Sequence, residues 1–223
     1  MMFQSPSPYP CPMDVAARVM NTDAALAYRL VELSLQRRLL GVHTLKFNFT
    51  TGNTDKPLQG TFPTTLGEDF YVVDIRSTVR RPLYAAGSIY KAQSDYFNAL
   101  SSGVDLVKTE VVGGTPGRKY VINDDQCALE LIAPNANGQG KSIICGMDAV
   151  LDYSQTIKAM AVLTRQLTAD ELPMEVQIAF LGWSLGCQGY FKMPRHEALG
   201  ALKGLRDKGH LSTEMALALD KAA

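Results

Sequence analysis

The chain has 223 residues, of which 46% are hydrophobic and 20% charged, as in an ordinary folded protein of one large domain or one domain with an appendage. Its 22 Lys and Arg residues balance its 22 Asp and Glu residues, so the net charge is zero. That balance argues against a protein that holds bulk nucleic acid, which needs a basic excess, and it favours association between subunits.

Targeting and redox signals are few. No apolar run approaches the ~20 residues of a membrane-spanning helix, and the first residues lack the basic start and apolar core of a signal peptide. We therefore expect a protein with no membrane partner. The cysteines are scattered, without a C-x-x-C pair, which predicts free and mostly buried thiols in a reducing compartment: Cys11, Cys127, Cys145 and Cys187.

Residues 1–41 predict an extended Pro-rich arm followed by a packing helix. Prolines recur at every second position from 6 to 12, and a short helical piece is expected at 14–20. The run Asn21-Thr22-Asp23 offers an N-cap to a helix predicted over 23–40. Arg37 and Arg38 then fall in its last turn, and Gly41 supplies the stop.

From residue 42 to 190 the apolar period changes to two, which predicts strands. In HTLKFNF the side chains of Leu45, Phe47 and Phe49 alternate with polar ones. About eight such runs, separated by polar turns, indicate an antiparallel β-sandwich or jelly-roll-like core. One helix is predicted inside this region, at 90–100. The further strands are predicted at 70–79, 104–112, 119–122, 127–132, 142–145, 155–166 and 174–183.

Residues 191–223 return to a helical pattern and predict a short hairpin. Pro194 opens its first helix and Gly209 closes it, while Ser212 caps the second.

This C-terminal sequence resembles a SHOCT-like module, the short hairpin that ends many bacterial and phage proteins. The resemblance covers EALGALKGLRDKGHLSTEMALALDKA and depends on its leucine spacing, Asp207-x-Gly209, the run 211–214 and Lys221. The chain departs from the module at Met215 and Ala216, where a second acidic residue and an aromatic one are usual. The resemblance implies a role in oligomerisation or docking, without catalysis.

The sharpest chemical motif is Gly182-Trp183-Ser184-Leu185-Gly186, which matches G-x-S-x-G and resembles the nucleophile elbow of α/β-hydrolases. That family would need an acid and a histidine on later strand–loop units, and units of roughly 30 residues each do not fit after Ser184. Gly189 and Pro194 also interrupt the helix that should follow. We therefore expect a strand end with Trp183 and Cys187 buried, and the serine hydrolase remains the least favoured alternative.

Other catalytic signals are absent from the sequence. His43, His196 and His210 have no mutual spacing that builds a metal site, and no pair of carboxylates is singled out. The sequence therefore predicts a protein that is not an enzyme, with no catalytic residue, no metal ligand and no cofactor.

One basic cluster is a candidate contact site. Arg76, Arg80 and Arg81 lie in DIRSTVRRP, where they would contact a partner's carboxylates or packaged nucleic acid. The alternative is an ordinary polar face of a sheet.

The whole organisation resembles that of minor structural proteins of bacteriophage virions: an arm, a leading helix, a β-sandwich and a helical hairpin, at zero net charge. That resemblance implies a capsid, connector or tail component, assembled in the host cytoplasm. Its partners would be copies of itself and other virion proteins, with nucleic-acid contact secondary. The alternative is a jelly-roll module that binds a carbohydrate or another ligand, for which the candidate residues are Tyr71, Tyr84, Tyr90 and Tyr96.

Overall fold

The computed structural model describes residues 9–61, 66–80, 103–113, 120–132 and 149–222. The predicted helix at 90–100 and the predicted strand at 142–145 lie outside these residues.

The elements follow one another in an order that places helices at both ends of a β region. The helices are α1 (Pro12–Val19), α2 (Ala24–Leu35), α3 (Leu129–Ile132), α4 (Arg195–Asp207) and α5 (Thr213–Ala222). The strands are β1 (Gly41–Phe49), β2 (Leu58–Thr61), β3 (Phe70–Arg80), β4 (Val104–Gly113), β5 (Tyr120–Asn123), β6 (Cys127–Ala128), β7 (Ala149–Leu151), β8 (Gln155–Leu163) and β9 (Met174–Ser184).

Two compact units divide the chain. A β unit spans Gly41–Gly182, and a helical unit combines the residues up to Leu40 with those from Trp183 onward. The sequence-based division had instead treated 1–41 and 191–223 as separate segments around a sandwich at 42–190. The two helical segments belong together because helices from opposite ends of the chain bury their apolar faces on one another.

The β unit consists of two antiparallel sheets. The strand order is β1-β9-β3-β7 in the first sheet and β2-β8-β4-β5 in the second, where β6 also pairs with β4. Alternation sets the register of the first sheet, since Leu45 lies opposite Ile178 and Phe47 opposite Val176. The prediction of a mainly β fold with helices before and after it is confirmed.

Both sheets fill one apolar core. The alternation that the sequence shows on β1 is borne out, because Leu45, Phe47 and Phe49 are all buried. Burial of such a side chain contributes roughly 1.5–3 kcal/mol. The other strands contribute Phe70, Val72, Ile75, Val104, Leu106, Val111, Leu151, Ile157, Ala159, Ala161, Leu163, Met174, Val176, Ile178 and Phe180.

Strand β3 departs from the predicted alternation. Strict alternation over 70–79 would place Tyr71, Val73 and Ile75 on one face, whereas the structure puts Val72 and Ile75 in the core. Since these two residues are three positions apart, the alternation is interrupted between them. Asp74 lies at this interruption and is buried.

Two further differences concern short elements. The segment predicted as a strand at 127–132 is extended only at Cys127–Ala128 and continues as α3, which buries Leu129. Strands β2 and β7 were not predicted, because runs of four and three residues are too short to show an alternating pattern.

Helix α2 begins as predicted but ends early. The carboxylate of Asp23 accepts a hydrogen bond from the amide of Leu26 over 3.0 Å, so Asp23 is the N-cap among the three residues predicted to offer one. The helix then ends at Leu35 rather than at residue 40, and Gly41 starts β1 instead of stopping the helix.

The early stop is a local backbone turn at Arg37. This residue has a φ of 52°, in the left-handed region. The amide of Arg37 donates to the carbonyl of Ser34, and that of Arg38 donates to the carbonyl of Leu33, each over 3.1 Å. This pair of bonds is the Schellman motif, which places arginine where glycine is usual.

The C-terminal hairpin forms as predicted. Helix α4 starts directly after Pro194, and Gly209 follows it with a φ of 73°. The hydroxyl of Ser212 accepts a hydrogen bond from the amide of Met215 over 3.2 Å and so caps α5.

Within the helical unit, α1 packs on α2 and α5, and α2 also packs on α4. Two side chains from the C-terminal segment form hydrogen bonds to residues between α1 and α2. The hydroxyl of Tyr190 donates to Oδ2 of Asp23 over 3.0 Å. The guanidinium of Arg195 donates to the carbonyls of Asn21 and Ala222, each over 3.2 Å.

Candidate functional site

Ser184 lies at the end of a strand that pairs antiparallel with β1. Its hydroxyl accepts a long hydrogen bond of 3.5 Å from the amide of Gly186. The chain then turns through Gly189 into a three-residue 3₁₀ helix at Tyr190–Lys192, and the next α-helix begins only at Arg195. A nucleophile elbow instead needs a strained serine between a parallel strand and a helix. The geometry here is that of a strand end and a turn.

The backbone structure requires glycine at both glycine positions of the motif. A Cβ on Gly182 would clash with the carbonyl oxygen of Tyr71 and lie 2.8 Å from Cε1 of Phe70. Gly182 therefore allows the backbones of β9 and β3 to approach closely. Gly186 has open space around it but a φ of 67°, so it supplies the conformation of the turn.

The residues flanking Ser184 match the strand-end interpretation in part. Trp183 is 3% exposed, as predicted. Cys187 is only half-buried, and Cys11 is exposed, so the expectation of mostly buried thiols is wrong for Cys11. The described cysteines, which also include the half-buried Cys127, are free thiols as predicted. Cys145 lies outside the described residues.

The histidines occupy three separate environments. His196 and His210 are exposed, and neither imidazole makes a hydrogen bond within the part of the chain that the structure describes. His43 is half-buried on β1, opposite Phe180, and its ring meets that of Phe70 edge to face at 4.6 Å between centroids. Burial lowers the pKa of His43.

The basic cluster is described only in part. Nε of Arg76 donates to Oδ2 of Asp74 over 2.6 Å, and the side chain of Arg76 is 25% exposed. Its Nη1 is buried without a hydrogen-bond partner among the described residues. The pairing with Asp74 neutralises Arg76 and leaves it a weaker contact for a partner's anion. The side chain of Arg80 and all of Arg81 lie outside the described residues.

Of the aromatic residues offered for a ligand-binding face, only Tyr71 belongs to the described residues. Tyr71 is buried at 3% exposure and so cannot line an open face. Tyr84, Tyr90 and Tyr96 lie outside the described residues.

Within the described ranges we searched for clusters of metal-binding side chains and for helices that could span a membrane. No three His, Cys, Asp or Glu side chains converge there in an arrangement that would hold a metal ion. No helix among the same residues is long and apolar enough to cross a membrane.

The helical unit carries the surface that sequence patterns missed. Leu39 is 89% exposed just after α2, Leu35 is 43% exposed at its end, and Leu217 on α5 is 56% exposed. Leu217 also lines an open groove of about 1100 Å³ between α1 and α5. Hydropathy alone could not single out Leu35 and Leu39, because the neighbouring Leu26, Leu30 and Leu33 follow a similar spacing and are buried.

Comparisons with known proteins leave the family open. No protein-family model matches the chain, and no curated protein or solved structure is significantly similar to it.

Proposed function

We propose that this chain is a non-enzymatic structural subunit of a symmetric multi-subunit assembly. The observation that carries the proposal is Leu39, whose side chain is 89% exposed four residues after the half-exposed Leu35. Burial of a leucine contributes roughly 1.5–3 kcal/mol, which a neighbouring subunit would supply. The zero net charge supports association as well, because no long-range repulsion separates the copies.

The finer part of the proposal is that the assembly is a bacteriophage virion. Its support is the resemblance of the chain's organisation to minor virion proteins and of residues 197–222 to a SHOCT-like docking hairpin. The neighbours would then be copies of this chain and other capsid, connector or tail proteins.

Sedimentation velocity over a concentration series tests the assembly. We expect the chain to sediment above the mass of its 24.3 kDa monomer and Leu39→Ser to shift it towards the monomer. Arg38→Ser, one residue away and also exposed, is the matched control and should sediment as the unaltered chain. A chain that stays monomeric at every concentration would contradict the proposal.

Density-gradient fractionation tests the virion. We expect the chain at fixed stoichiometry in nucleic-acid-filled particles of virion density. Its recovery only at the top of the gradient, away from the particles, would contradict the finer proposal and leave the assembly standing.

A fluorophosphonate probe tests the enzymatic alternative. We expect no labelling of the folded chain, because Ser184 ends a strand and the next α-helix begins only at Arg195. Labelling that disappears in Ser184→Ala would overturn the non-enzymatic proposal.

A further inference from the structure

We propose that the groove between α1 and α5 is an isologous interface, in which it binds the same groove of a second copy in the antiparallel sense. This inference rests on the proposed function, since it names one contact of the proposed assembly. It is carried by the charges and the exposed leucine that line the groove.

The two helices run in the same direction. The guanidinium of Arg195 donates to the carbonyl of Asn21, just after α1, and to the carbonyl of Ala222, the last residue of α5. Since α1 and α5 also pack on one another, their C-terminal ends lie at one end of the groove and their N-terminal ends at the other.

Charge is therefore separated along the groove. Asp14 and Glu214 stand in the first turns of α1 and α5, at the acidic end. Arg18 and Lys221 stand in the last turns, at the basic end. All four are exposed and line the groove, and none makes an ion pair with another described residue.

The middle of the groove is apolar, and most of the side chains there are small. Leu217 is 56% exposed there, and it is flanked by the small side chains of Ala17 and Ala218. Small residues let a second helix pair approach, while Leu217 offers a side chain that the monomer leaves in water.

A two-fold axis across the helices makes this surface complementary to itself. The midpoint of Asp14 and Arg18 falls at Ala16, and the midpoint of Glu214 and Lys221 falls between Leu217 and Ala218. An axis that runs in the plane of the interface, above the helices and parallel to the line joining these midpoints, places each acidic end against the partner's basic end and the two Leu217 side chains against each other. An axis along the helices would instead oppose like charges, so the charge pattern selects the antiparallel arrangement.

Charge reversal at either end tests the interface. We expect Asp14→Lys/Glu214→Lys and Arg18→Glu/Lys221→Glu each to weaken self-association by about tenfold or more in Kd, measured by sedimentation velocity at low salt. The two variants mixed in equal amounts should associate as the unaltered chain does. Such rescue requires folded partners, so misfolding cannot produce it. Glu197→Lys/Asp124→Lys, two exposed acids outside the groove, is the control and should associate normally.

A cysteine on the proposed axis tests the register. Leu217→Cys should form a disulfide-linked dimer rapidly under mild oxidation, because the two copies of this position meet at the axis. Cys11 lies five residues from the midpoint on α1, so its two copies stand about 15 Å apart and should not link. Linking through Cys11 rather than through position 217 would overturn the antiparallel register.

The outcomes separate this inference from the proposed function. If the groove variants assemble like the unaltered chain while Leu39→Ser dissociates, the groove interface is wrong and the assembly stands. If the unaltered chain is monomeric at all concentrations, both fail.

Discussion

The hydroxyl of Tyr190 donates a hydrogen bond over 3.0 Å to Oδ2 of Asp23, a residue 167 positions earlier in the chain. The other carboxylate oxygen, Oδ1, caps α2 through the amide of Leu26. One carboxylate thus fixes the start of a helix and joins the two ends of the chain. This dual use adds a buried polar link to a helical unit that the apolar faces of its helices hold together.

Removal of the Tyr190 hydroxyl should destabilise the protein. Tyr190 is buried, and its bond to a charged acceptor contributes about 1.5 kcal/mol, so we expect Tyr190→Phe to lower the free energy of unfolding by about that amount. Urea denaturation measures the change. Tyr28→Phe is the control, because its hydroxyl donates to Glu32 within one helix and in partial contact with water. An equal or larger loss in Tyr28→Phe would contradict the importance of the long-range bond.

Gly182 should tolerate no side chain. We expect Gly182→Ala to lower the free energy of unfolding by about 3 kcal/mol, because the new Cβ would clash with the Tyr71 carbonyl oxygen and force β9 and β3 apart. Gly204→Ala is the matched control. Gly204 lies inside α4 with open space around its Cβ position, so this change should stabilise the protein by up to about 1 kcal/mol. The same sign of change in both variants would refute the structural account of Gly182.

Arg37 should be better replaced by glycine. A non-glycine residue in the left-handed region costs about 1 kcal/mol, so Arg37→Gly should raise the midpoint of urea denaturation. Arg38→Gly serves as the comparison, since Arg38 does not have a positive φ and gains nothing from glycine. If Arg37→Gly and Arg38→Gly destabilise the protein equally, the left-handed conformation of Arg37 does not explain the early end of α2.

His43 should make the stability depend on pH. Burial lowers the pKa of His43 below its ordinary value of 6.5, so the unfolded chain binds this proton more tightly than the folded one. Stability from the neutral imidazole is therefore present above pH 6.5 and is lost as the pH falls below that value towards the folded pKa. Urea denaturation at pH 7.5 and pH 5.5 should show a smaller difference in His43→Phe than in the unaltered chain.

His210→Phe is the control for that experiment, because His210 is exposed. It should keep the pH dependence of the unaltered chain. A pH dependence that survives in His43→Phe and vanishes in His210→Phe would assign the effect to the wrong histidine.

Local patterns predicted most of the fold. Alternation on β1 predicted Leu45, Phe47 and Phe49 as core residues, since a strand places every second side chain on one face. The caps at Asp23 and Ser212 were readable because they depend on hydrogen bonds within a few residues. The end of α2 was not, because Arg37 takes a conformation that its residue type disfavours.

The candidate site was less accessible to such patterns. Ser184 lies in a motif that matches a nucleophile elbow, but its glycines have other roles. Gly182 allows two strands to approach closely, and Gly186 supplies the conformation of a turn. The groove residues Asp14, Arg18, Glu214 and Lys221 looked like the ordinary charges of helix ends. Only the packing of α1 beside α5 brings them onto one surface.

The sequence by itself determined the mainly β class, the flanking helices and most helix caps, because these depend on periodicity and on bonds between near neighbours. The tertiary structure alone decided that the chain's two ends form one unit, that Gly182 faces the Tyr71 carbonyl, and that four charges line a single groove. Each of these joins residues far apart in the chain, and such contacts exist only once the apolar faces are buried.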